Sequence, residues 1–62
     1  MKERIQIAEN LGKAAFLRGL SRHSSVLDSG LVSLCDSRLP LGTLSAIVNA
    51  WYSGWDQAAG RA

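Results

Sequence analysis

The sequence predicts an all-α fold: an antiparallel pair of helices at about 3–20 and 44–59, with a short middle helix or ordered loop at about 25–36 over one side. Three observations carry this. Leu44, Ile47, Val48, Trp51 and Trp55 recur at i, i+3, i+4, i+7 and i+11, one face of an α-helix. Ala46, Ala50 and Gly54 form a row of small residues beside that face, and Gly12, Ala15 and Gly19 form a similar row in the first third of the chain. Small rows let two backbones approach, and large aromatics such as Trp51 and Trp55 fill the volume beside the contact. The simplest arrangement sets Gly12, Ala15 and Gly19 against Ala46, Ala50 and Gly54.

In the first helix, Ile5, Ala8, Gly12, Ala15 and Gly19 make a seam at spacings of 3, 4, 3 and 4, and Ile7, Leu11, Ala14, Leu17 and Leu20 widen its apolar side. Phe16 lies beside the seam. A glycine inside a helix costs roughly 1 kcal/mol relative to alanine, so Gly12 implies close approach of another backbone. Gly19 has a second reading, as the residue that ends this helix before the turn at Ser21. In the middle, Ser25-Val26-Leu27-Asp28 resembles a capping box, and Val26, Leu27, Leu31, Leu34 and Cys35 follow near helical spacing. Pro40 breaks the chain ahead of the last helix, Thr43 is a candidate N-cap, and Gly60 is a candidate stop.

The 62 residues make one small helical domain, 1–62, whose core is marginal in size. A lone Cys35 forms no intrachain disulfide, and with a single His23 it falls short of the four ligands of a structural zinc site. The absence of a disulfide fits a reducing cytoplasmic setting. The run from Leu39 to Trp55 lacks charge, but its proline, glycines and polar residues make it too polar and slightly short to span a membrane.

Chemistry for catalysis is sparse. The five carboxylates are scattered, His23 falls in a serine-rich turn, and no phosphate loop, dinucleotide turn or metal spacing occurs. The expectation is a protein that is not an enzyme and needs no metal, cofactor or small-molecule substrate. Binding is the better expectation. Residues 1–22 hold Lys2, Arg4, Lys13, Arg18 and Arg22 against Glu3 and Glu9, a net +3, while residues 23–62 carry a net −1. Arg18 and Arg22 at i, i+4 would share a helix face and bridge phosphates. Tyr52 falls off the apolar face of the last helix and is the aromatic expected at the surface. The candidate contact residues are therefore Arg4, Lys13, Arg18, Arg22 and Tyr52.

Two blocks carry a family resemblance: Gly12-Lys13-Ala14-Ala15-Phe16-Leu17-Arg18-Gly19, and Pro40 followed by Trp51-Tyr52-Ser53-Gly54-Trp55-Asp56-Gln57-Ala58. Together they resemble ribosome modulation factor and its short relatives, which pair a glycine- and alanine-punctuated helix with a proline-led helix ending in Trp-x-x-Gly-Trp. The resemblance implies a two-helix regulator of translation that binds the ribosome through its RNA and promotes inactive ribosome dimers in stationary phase. The cations of the first helix would then serve ribosomal RNA. This chain differs in having Leu39 and Leu41 around Pro40, in Phe16 where the family has a small residue, and in a long apolar connection from Gly19 to Pro40. That connection supports an alternative, a protein–protein module, phage-type inhibitor or homodimeric adaptor using residues 26–34.

Overall fold

The structure, a computed structural model, describes residues 2–22, 28–36 and 38–60. They form three helices, α1 (Lys2–Leu17), α2 (Ser29–Leu34) and α3 (Leu41–Ala58), with no strand among the described residues. The two long helices pack against each other and α2 lies across them.

Backbone proximity fixes the crossing of α1 and α3. A Cβ on Gly12 would fall on the carbonyl group of Trp51 and lie 2.9 Å from the amide nitrogen of Trp55. A Cβ on Gly54 would fall on the carbonyl group of Glu9. The later residue of α1 meets the earlier part of α3, so the helices run in opposite senses at the contact. Only glycine fits either position, which explains why a helix tolerates its conformational cost there. Ala8, Ala15, Ile47, Ala50 and Trp51 complete the buried core with Leu31 from α2. Trp55, Leu11, Leu20, Leu34 and Cys35 pack around it, half-buried.

The helix ends differ from the sequence expectation in instructive ways. α1 stops at Leu17 rather than near residue 20, because Gly19 takes a left-handed φ of 83°. The amide of Leu20 then donates to the Ala15 carbonyl (3.0 Å) and that of Gly19 to the Phe16 carbonyl (3.0 Å), the paired bonds of a Schellman turn. Gly19 is thus the helix stop, exposed, with nothing near its Cβ position, and takes no part in the crossing. α3 begins at Leu41 rather than Leu44. Pro40, with ψ 148°, is its N-cap, and the Pro40 carbonyl accepts from the amides of Thr43 and Leu44. Thr43 therefore sits in the first turn. Gly60, φ 79°, closes α3 after Ala59.

α2 is shorter than the expected 25–36 because Asp28, not Ser25, is its N-cap: Oδ1 accepts from the amides of Gly30 (3.0 Å) and Leu31 (3.4 Å). Ser25, Val26, Leu27 and His23 lie outside the described residues. Ile7, Ala14 and Leu17 were expected to widen the apolar contact, yet all three are exposed. The glycine crossing brings the axes so close that only the Ala8–Gly12–Ala15 stripe is enclosed. Ile7 and Leu17 each stand five residues from Gly12, about 140° round the helix from it.

Candidate functional site

Beside the crossing, Leu20, Arg22 and Asp28, which lie between α1 and α2, are hydrogen-bonded to side chains of α3. Asp28 is buried, at 5% exposure. Its Oδ1 caps α2, while Oδ2 accepts the indole N–H of the fully buried Trp51 at 2.8 Å. The Arg18 guanidinium lies 3.8 Å from Oδ2 with its side chain 60% exposed. One carboxylate thereby joins the end of α1, the start of α2 and the centre of α3. Burying it is tolerable because its hydrogen bonds are made and a cation stands beside it.

A second cluster lies further along α3. Arg22 grips Asp56 with two bonds, Nε to Oδ1 at 2.8 Å and Nη2 to Oδ2 at 3.2 Å. Its guanidinium carbon sits 4.6 Å from the centre of the Tyr52 ring. The hydrogen bond to Asp56 raises the Arg22 pKa above its ordinary value, against an opposing effect of desolvation. Trp55 donates its indole N–H to the Leu20 carbonyl at 2.9 Å and meets Phe16 edge to face, ring centres 5.2 Å apart.

The five candidate contact residues are therefore not one patch. Arg18 and Arg22 were expected on one helix face, but α1 ends before both, and they serve different carboxylates on different elements. Arg4 donates to the Leu34 carbonyl at 3.2 Å and pins the end of α2. Lys13 is 3.6 Å from Glu9, one turn away, and stays 42% exposed. Tyr52 is half-buried rather than at the surface, packed edge to face on Trp51 with Arg22 over its ring. Of the packing set, Gly12, Ala15, Ala50, Trp51 and Gly54 are buried at the crossing, whereas Ala46 and Trp55 flank it half-buried.

Asp28 is what sequence reasoning missed. It stood there as the last residue of a capping box, and its bond to Trp51 spans 23 positions that no local pattern links. No group of three or more His, Cys, Asp or Glu able to hold a metal occurs among the described residues, and no described helix is long and apolar enough to cross a membrane. No family model, no curated protein and no solved structure matches the chain.

Proposed function

We propose that this chain is a non-enzymatic regulator of the ribosome modulation factor kind: a small helix pair that docks on the cytoplasmic ribosome and blocks a working surface sterically. One observation carries the reading. The residues that make the sequence resemblance, Gly12 in the first block and Trp51, Gly54 and Trp55 in the second, are the residues that meet at the helix crossing. The two blocks thus belong to one structural device, which supports a common frame and, through it, a common kind of partner. Fully covered Trp51 offers no stacking face to a base, so contact with ribosomal RNA falls to cations. Arg18, with 60% of its side chain exposed, is the leading phosphate contact, followed by Lys13 at 42% and by the half-buried Arg4. The Arg22 charge is largely answered by Asp56, and this residue serves the fold first.

Sucrose-gradient sedimentation of a bacterial lysate containing the tagged chain tests the reading. The expected result is comigration with small subunits or ribosome dimers at low salt, weakening as salt rises, and further weakening in Arg18→Ala. Absence from ribosomal fractions at every salt, or salt-resistant recovery with a single protein, would overturn it.

A further inference from the structure

We propose that α2 is a strap that opens as one unit from the two long helices while their crossing stays closed, and that Asp28 is its latch. α2 has six residues, and Leu31 is the only one of them that is buried. Ser29, Val32 and Ser33 face outward, with Val32 54% exposed. A helix of this length does not hold itself together in water, so α2 persists only while it is attached. Apart from Leu31 and the latch, its attachments are slight. Leu34 and Cys35 lie half-buried against the core, and Arg4 donates to the Leu34 carbonyl at 3.2 Å. Gly30 passes over Leu11, whose methyl group would stand 3.0 Å from a Cβ there.

Asp28 makes the attachment cooperative, because its two oxygens do different things. Oδ1 accepts from the amides of Gly30 and Leu31 and starts α2, while Oδ2 accepts the indole N–H of Trp51 at 2.8 Å. A carboxylate that leaves Trp51 takes the cap with it, and a melted α2 withdraws the amides that hold the carboxylate in place. Leu31 is bound to the same event: its amide is on Oδ1 and its side chain belongs to the buried cluster that holds Trp51. The crossing is built without α2. Gly12 meets the backbone of Trp51 and Trp55, and Gly54 meets that of Glu9. Lifting α2 therefore leaves those backbone contacts in place. The open chain presents the Trp51 indole N–H, and the side of Leu11 under Gly30, which the closed chain conceals, with the helix pair still assembled.

The strap does not depend on the ribosome reading. Its test is hydrogen exchange by NMR on the full chain, read at the two N–H groups of Trp51: the indole, held by the latch, and the backbone amide, held inside α3. Corrected for intrinsic rates, the indole should exchange about tenfold or more faster than the amide. Ser33 acts on the strap alone, since it is exposed and its hydroxyl donates to the Ser29 carbonyl at 2.9 Å within α2. Ser33→Ala and Ser33→Gly both lose that bond and differ in helix propensity, so the indole should exchange about three- to fivefold faster in the glycine variant. Gly42→Ala acts on α3 alone, with nothing within 4 Å of the Cβ position. It should slow the Trp51 backbone amide by up to about fivefold and leave the indole rate unchanged. An indole as slow as the amide, or slowed with it by Gly42→Ala, would mean that α2 opens only when the whole chain unfolds. An indole rate equal in the two Ser33 variants would mean that solvent reaches Trp51 without α2 moving. Either result overturns the strap.

Discussion

The two places where α3 is held are built on opposite principles. At the crossing with α1, side chains are removed: Gly12 and Gly54 let the backbone of each helix lie on the other, with no charge involved. Beyond the end of α1, side chains do the holding: Asp28 accepts from Trp51 and Arg22 donates to Asp56. The first contact tolerates no added atom and no reorientation. The second consists of polar bonds that can be weakened one at a time. Position along α3 therefore decides whether a substitution dismantles the fold or loosens one part of it.

The largest effect should come from the crossing. Gly54→Leu, or the smaller Gly12→Ala, sets a side chain on a carbonyl that belongs to a rigid helix, so the pair must separate. A chain of this size commands a total stability of only about 3–5 kcal/mol, and loss of the α1–α3 contact should exhaust most of it. Circular dichroism should find Gly54→Leu largely unfolded at room temperature. Gly42→Ala is the control: this glycine lies in the first turn of α3 with nothing within 4 Å of its Cβ position. There alanine should stabilise by up to about 1 kcal/mol through the unfolded state. Equal melting of the Gly54 and Gly42 variants would dispose of the crossing as described.

Asp28→Ala should come next. It leaves the buried Trp51 indole N–H without its acceptor and removes the cap of α2, and an unsatisfied buried donor costs about 1–3 kcal/mol. The melting temperature should fall, and the Leu31 amide should exchange with solvent faster while α1 and α3 amides slow little changed relative to one another. Asp28→Asn keeps an acceptor oxygen and should recover part of the loss. If Asp28→Ala melts like the parent, the carboxylate does not hold the three elements together.

These two regions also differed in how far the sequence exposed them. The crossing was legible because helical contact repeats every three to four residues, so Ala8, Gly12, Ala15 and Ala50, Gly54 spelled their row locally. The polar end was not, since Asp28–Trp51 and Arg22–Asp56 join residues 23 and 34 positions apart. Spacing assigned Arg18 and Arg22 to one binding face because i, i+4 is a helical interval, although Arg22 lay past the expected helix end near residue 20. The left-handed turn at Gly19 ends the helix before them, and its C-cap role and its place in the small-residue row could not be told apart by spacing. Ile7 and Leu17 misled for the reverse reason: periodicity identifies apolar positions, not how tightly glycines will close the interface and leave some of them outside.

Asp36 gives the smallest effect and the cleanest separation of polar bonds from packing. It accepts from the Arg38 side chain, Nη2 to Oδ2 at 3.0 Å, and from the Arg38 amide at 2.9 Å. These bonds, the side-chain one foremost, lower its pKa from the ordinary 3.8. A carboxylate depressed in the folded state contributes stability that is present above its unfolded pKa and is lost as pH falls through the folded value. The difference in melting temperature between the parent and Asp36→Asn should accordingly be constant near neutrality and shrink toward zero only below the ordinary carboxylate range. It should be small throughout, because Arg38 is 88% exposed and water screens the pair. The Gly54→Leu defect, which involves no titrating group, should by contrast persist across the same pH range. A Gly54 defect that disappeared in acid would mean that charge, rather than backbone proximity, holds the two long helices together.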